Sequence, residues 1–469
     1  MHDSYELQQE TASEAEVYDA IILGAGVSGL VAASVLLRQD NERIAVVDEY
    51  PHIGGNHIDW SANGFTFDVG SLIFQDDSPL LKHFPELLEH YIHIKPTWGR
   101  LNPQGKVTRC PISIADDILG AGPLEICRIA FSVIHSRIWR RNLRNARDFA
   151  AFWIGAYLLK RSGLENYMAR FYGMPPEHID LELAEKRMMW IKEHSSLRSL
   201  MRKLTQKKPP HMQNKQLARP KAGYAALYEP AKRGLAENGV TFRLGTSIAK
   251  VMKGEDHFIV IPTEGRQIAS RRMISTVPIN IAHRLCGLSQ EKPLKTITLI
   301  SLYFSFAGER GFAQSILYNF SYEAAWKRLT IYSDFYGKTD GREYFAVEVV
   351  SNDTITSIDL AEAEFRAHLA RNNIFKGDLK LEGGQILENA YPIYTHGAPA
   401  EAASQIERLK QFGIESFGRH GAFNYQPTAR VSTLEAERAL GYHHPEPANT
   451  AAPREQHDKR IEFIPCGSG

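Results

Sequence analysis

Gly24, Gly26 and Gly29 are spaced G-x-G-x-x-G in "LGAGVSGL", a pattern suited to holding a diphosphate. Between a strand and a helix, the first glycine permits a tight turn, the second lets the main chain approach a pyrophosphate, and the third lets helix pack closely on strand. Val27 and Ser28 would open that helix and offer amides to the anion, where the helix dipole is positive. Asp48 closes the next apolar run, "RIAVVD", about 20 residues on, where a carboxylate accepts hydrogen bonds from ribose hydroxyls and disfavours a 2′-phosphate. Its neighbour Glu49 is the second candidate, although side chains alternate along a strand. A second glycine turn, "HIGGN", adds Gly54, Gly55 and Asn56.

The flanking sequence tells which secondary structure carries these residues. The apolar run from Ala20 to Leu23 precedes the glycines and an Ala/Val/Leu-rich run follows, so the order is strand, turn, helix, strand. Apolar alternation in "TITLISLYFSF" and "REYFAVEVV" predicts strands of a second sheet. The run "FAAFWIGAYLL" (Phe149 to Leu159) is too short to span a bilayer and reads as a buried helix. Before it, "CRIAFSVIHSRIWRRNLRNARD" carries six arginines among apolar residues. Such a helix could lie on an anionic membrane, but a solvated face beside a packed core is the favoured expectation.

At 469 residues, 43% apolar and 23% charged, the chain is long enough for two or three packed domains. A net charge of +1 gives no global field for nucleic acid, and none is expected as a partner. Cys110, Cys127, Cys286 and Cys466 lack C-x-x-C or metal-ligand spacing, which argues against a disulfide framework and a zinc site and suits the cytoplasm. The polar opening, residues 1–16, and the Pro/Ala/charge-rich end, residues 443–469, are expected to be loose tails. His443 and His444 read as solvated, so no metal is expected.

"HIGGN" and "GFTFDVGSLIF", coming after the first glycine set, resemble the FAD-containing amine oxidase, protoporphyrinogen oxidase, phytoene desaturase and UDP-galactopyranose mutase superfamily. The resemblance returns in "RPKAGYAALYEPAKRGLAENGVTFRLGTSIAKV", "RMISTVPINIA" and the closing "IESFGRHGAFNYQPTARVSTLEAERAL". It implies an α/β fold: an FAD-binding Rossmann-like domain of glutathione reductase type, a mixed α+β substrate domain and a helical insertion. The FAD domain would be assembled from residues 17–75, 219–285 and 383–442. Residues 76–218 would form the mainly helical region, and 286–382 the substrate sheet. Noncovalent FAD is implied, held additionally by Gly70, Ser71, Gly418, Arg419 and Tyr425.

Two reactions and one non-catalytic role are compatible with this resemblance. In the favoured one, an organic small-molecule substrate gives hydride to flavin N5, with NAD(P)H a candidate reductant of the protein; no catalytic base stands out. In the second, a mutase-like flavoenzyme acts on a nucleotide sugar without net redox change. Matching the mutase segments places Tyr167, Tyr172, Arg187, Arg328 and Tyr391 at the substrate. Arg328 and Arg187 also fit structural ion-pair or solvated roles, and Tyr391 and Tyr425 fit core positions. Ser71 and Leu72 stand where mutases carry Pro-His, and Pro427 where an acid is expected, which favours the oxidoreductase. A non-catalytic FAD-bound scaffold is the third alternative.

Overall fold

The computed structural model describes residues 15–39, 43–69, 73–112, 114–139, 142–195, 215–289 and 292–444. Gly70 and Ser71, both expected at the cofactor, lie outside them, as do most of the two expected tails.

β1 (Glu16–Leu23), α1 (Val27–Leu37) and β2 (Ile44–Val47) form the opening βαβ unit. β1 is parallel to β2 on one side and to the strand Ile268–Ser275 on the other, with Leu23 in register with both Val47 and Ser275. The sheet continues outward through the parallel strand Val240–Arg243 next to β2, and through the antiparallel strands Phe258–Pro262 and Ile248–Lys253 on the far side. The short strand Ile414–Ser416 adds to Ile268–Ser275 in parallel. Pieces far apart in sequence therefore end side by side at one edge, where an open α/β sheet binds ligands. α1 is buried around nearly its whole circumference, which its uninterrupted apolar and small residues require.

A second, seven-stranded sheet runs in the order Phe375–Pro392, Thr296–Arg310, Glu343–Val350, Trp326–Ile331, Ile316–Asn319, Trp98–Leu101, Val107–Arg109. The two strands read from apolar alternation are present. The 18-residue strand Phe375–Pro392 runs through position 383, and Trp98–Leu101 and Val107–Arg109 join the same sheet, so it draws on chain from beyond both limits expected for it.

The hairpin of β3 (Ile58–Ala62) and β4 (Phe65–Val69) fastens the first unit to the second sheet. Trp60 and Phe67 each stack on Tyr303 with centroids 4.9 Å apart. Beside them a buried Arg219–Asp68 ion pair is roofed by two tyrosines: Tyr332 Oη donates to the Asp68 carbonyl at 3.3 Å and Tyr336 Oη to the Arg219 carbonyl at 3.1 Å.

The helical region includes α2 (Pro123–Trp139) and α3 (Leu164–Tyr172). Between them the run expected as one buried helix is two, Ala146–Ile154 and Ala156–Arg161, broken at Gly155 with φ +82°. A Cβ there would stand 3.0 Å from Ser132 Oγ and the Val133 nitrogen of α2. The break thus comes from close helix approach, which periodicity does not record. The outer face of α2 is solvated as expected, but besides Arg128 it exposes Leu124, Phe131, Ile134, Ile138 and Trp139. Cys110 is disulfide-bonded, a single bridge where the spacing argued against a disulfide framework. Near the end, α4 (Ala429–Ala439) packs on α1, and Glu437 Oε1 lies 2.9 Å from both His83 Nε2 and His444 Nε2. His444 is therefore an anchored residue.

Candidate functional site

Both glycine turns meet at the carboxyl end of β1. The Gly54 amide donates to the Ala25 carbonyl at 2.8 Å, and Gly26 and Gly54 form an isolated bridge. A Cβ on Gly55, whose φ is +60°, would lie 2.9 Å from Gly26 Cα, and one on Gly29 would lie 2.0 Å from the Gly24 oxygen. The sequence has glycine here because nothing larger lets the two turns and the helix close up. Gly26 is the N-cap of α1, and neither a side-chain cap nor an acid occupies its first turn, so the positive helix end opens on the space beyond.

Asp48 does more than end β2. Its Oδ2 accepts from the Ala25 amide at 2.6 Å and its Oδ1 from the Tyr50 amide at 2.9 Å, bracing the first glycine turn from the side. Burial raises its carboxyl above the usual range, and these two amides oppose that rise. A carboxylate has acceptor capacity beyond these two bonds, which a ribose hydroxyl could use. Glu49, one residue on, is exposed and lines the same space.

That space is a cavity of about 1820 Å³, running from Asp48 and the glycine turns to the second sheet. At the middle, Asn56 Nδ2 donates to the Ala390 carbonyl at 3.1 Å and meets His420 Nε2 at 3.2 Å. His57 bonds Tyr228 Oη through Nδ1 and stacks on Tyr224 and Tyr228. Burial, reinforced by the Arg419 charge, pushes both His57 and His420 down to about 3, so both rings are neutral. Gly418, with φ +89°, packs against Ser28, where a Cβ would come within 2.8 Å of Oγ. Arg419 Nε donates to the Gln426 carbonyl at 2.8 Å and holds the loop leading to α4.

The far end is aromatic with one charged cluster. Tyr167 and Phe171 of α3 reach the cavity, Tyr167 stacking on Phe320 at 4.6 Å and Phe171 on Tyr391 at 5.3 Å. Tyr391 Oη donates to the Phe171 carbonyl at 2.9 Å and accepts from Lys327 Nζ at 3.2 Å. Lys327 Nζ also pairs with Glu348 Oε2 at 3.0 Å, while Arg328 Nε donates to Glu348 Oε1 at 2.6 Å. Burial pushes the Glu348 carboxyl up, but the Arg328 and Lys327 charges outweigh it and leave it below the usual range. The cluster is thus ionised and carries one net positive charge.

Of the residues read from sequence, Gly24, Gly26, Val27, Ser28, Asp48, Glu49, Gly54, Gly55, Asn56, Arg419 and Tyr425 line this cavity, as do Tyr167, Arg328 and Tyr391. Gly29 and Gly418 support its wall. Tyr172 does not line it: it is buried in the core with its ring edge-on to Phe171, a correction to its expected place at the substrate. The side chain of Arg187 lies outside the described residues. Lys327, Glu348, His57 and His420 were not read as site residues.

Sheet order and cleft together make this a dinucleotide-binding α/β protein, and residues 22–86 match the NAD(P)-binding Rossmann-like domain family. The chain is 47% identical over 60 residues to prolycopene isomerase 2 of an Oncidium hybrid cultivar, a match that spans 13% of this chain and 10% of that protein. Pseudooxynicotine dehydrogenase from a Pseudomonas species is 25% identical over 285 residues, covering 56% of this chain and 52% of that one. The chain thus spans from a tenth to about half the length of these relatives. In fold it is similar to reduced UDP-galactopyranose mutase, with TM-score 0.72 and 16% identity, over 90% of this chain and 96% of the other. A putrescine oxidase redesigned in its cofactor binding gives TM-score 0.58 and 14% identity over 91% and 99%.

Proposed function

We propose that the protein is an oxidoreductase with noncovalent FAD that oxidises an organic small molecule. The reading rests on one observation: the dinucleotide cradle and the Lys327–Glu348–Arg328 cluster open into the same cavity. The cradle suits FAD on this chain's own geometry, since its two glycine turns meet without room for a Cβ and the α1 end that faces the cavity carries no acid. Gly26, Val27 and Ser28 would hold the diphosphate, Asp48 the ribose, and Asn56, His420 and Tyr425 the flavin half. When bound, FAD supplies a two-electron acceptor, at N5, for hydride from a substrate C–H bond.

The protein's own groups bind and orient. Lys327 and Arg328 would meet the polar end of the substrate, their charge only partly offset by Glu348. Tyr167, Phe171 and Tyr391 would flank its apolar body and exclude water. Tyr391, fixed at both its lone pair and its proton, keeps Lys327 from swinging away. The neutral His57 and His420 add hydrogen-bonding capacity near the cofactor without adding charge.

The mutase-like reading keeps one supporting observation, that the matched Tyr167, Arg328 and Tyr391 share the cavity. Against it, Tyr172, one of the matched aromatics, is in the core. The purified protein should show an oxidised flavin spectrum that a reducing substrate bleaches without oxygen. Furanose product from dithionite-reduced protein and UDP-galactopyranose would replace this reading with the mutase one. Folded protein that neither carries nor takes up flavin would end both.

A further inference from the structure

The outer face of α2 exposes five large apolar side chains, interrupted by the exposed Arg128 and by His135, whose ring lies between Phe131 and Trp139. Leu124, Phe131, Ile134, Ile138 and Trp139 are 78, 70, 58, 48 and 69% exposed. Their spacing along the chain puts them on one stripe of the helix. They are five of the ten large apolar side chains that are exposed among the described residues. The helix is nonetheless well seated on its other side: Ile129 and Ser136 are buried, and Ser132 Oγ accepts from the Tyr157 amide at 3.0 Å. Arg137 lies over the Trp153 ring at 5.1 Å. The apolar stripe is therefore presented by an anchored helix.

Charge decides what would cover it. Residues 123–144 contain five arginines and a single acid, Glu125. Glu125 is already engaged by Arg128 at 2.6 Å, by the Tyr157 hydroxyl and by Arg161 at 3.6 Å. Trp139 is followed in sequence by two arginines, and Arg144 is exposed a few residues on. An apolar stripe ending in tryptophan, with cationic residues clustered at that end, complements the boundary between acyl chains and anionic headgroups. At 17 residues the helix is about 25 Å long, short of the hydrocarbon thickness, so it would lie in the membrane plane.

We propose that α2 docks the protein on an anionic lipid surface, with Leu124, Phe131, Ile134, Ile138 and Trp139 entering the interface. The probe is sedimentation with vesicles of phosphatidylcholine alone and of phosphatidylcholine with phosphatidylserine, using full-length protein. Cys127, exposed on the same helix while Cys286 is buried, accepts a polarity-sensitive dye. Binding to the phosphatidylserine vesicles should exceed that to neutral ones by at least tenfold, weaken with salt, and shift the dye emission to the blue. Phe131→Ser with Trp139→Ser should abolish binding while leaving circular dichroism unchanged, since neither side chain is in the core. Failure to bind, equal binding to neutral vesicles, or binding that survives the double substitution would overturn the proposal. So would a lipid-free dimer that the same substitutions dissolve, because a second copy would then cover the stripe.

Discussion

The Ala25 amide points into the Asp48 carboxylate at 2.6 Å, so the acid at the end of β2 holds the first glycine turn as well as facing the cavity. Asp48→Ala would leave the Ala25 and Tyr50 amides without this acceptor, a loss of about 1–3 kcal/mol for a buried donor. Flavin affinity should fall more than tenfold and the melting temperature should drop. Asp48→Asn, which keeps one acceptor oxygen, should lie between. Flavin titration and calorimetry read the two effects separately, and unchanged affinity in the alanine variant would remove Asp48 from the site.

Gly55→Ala tests the meeting of the two turns. Its Cβ would stand 2.9 Å from Gly26 Cα at a φ of +60°, so clash and backbone strain act together. Purified variant should carry little flavin while its far-ultraviolet dichroism stays near wild type. Full flavin occupancy would show that the turns can separate at no cost.

Tyr391→Phe and Tyr172→Phe make a matched pair. The first removes a hydroxyl that bonds both Lys327 and the Phe171 carbonyl; kcat/KM should fall about tenfold, as loss of one charge-assisted hydrogen bond predicts. The second alters a ring outside the cavity and should leave turnover within about twofold, a change too small to signal a lost polar contact. Steady-state kinetics on the substrate that bleaches the flavin decide it, and a reversed order would misplace the substrate.

Acid should destabilise the protein through His57 and His420. Their folded rings resist protonation until about 3, whereas the ordinary value is 6.5, so the unfolded chain takes up protons that the folded one does not. Stability from this source is fully present above pH 6.5 and is lost progressively as pH falls from 6.5 towards 3. The slope is about 1.4 kcal/mol per pH unit per ring. Denaturant unfolding across that range should show it, and His420→Gln should roughly halve this part of the slope. A flat profile would place both rings in water.

The glycine turns and Asp48 were legible because they answer backbone demands that few residue types meet. Of the charged cluster only Arg328 was. Lys327 and Arg328 are adjacent on one strand, and alternation should turn them to opposite faces; the register shifts between Trp326 and Arg328, so both reach Glu348. Tyr172 was misplaced for a related reason. Tyr167 and Phe171 are four residues apart and share one face of α3, whereas the next residue is turned about 100° away, into the core. Similarity to a motif chose the aromatic, and helix geometry chose its neighbour.

The Arg219–Asp68 pair, roofed by Tyr332 and Tyr336, bears on how molecules come and go. A clamshell motion separating the cofactor unit from the second sheet would leave the pair itself intact but break both tyrosine–carbonyl hydrogen bonds and lay a buried ion pair open, which opposes such opening. Traffic through the cleft then depends on side chains and short loops giving way at its rim. Turnover should accordingly respond to substitutions at the mouth far more than to solvent viscosity acting on large-scale rotation.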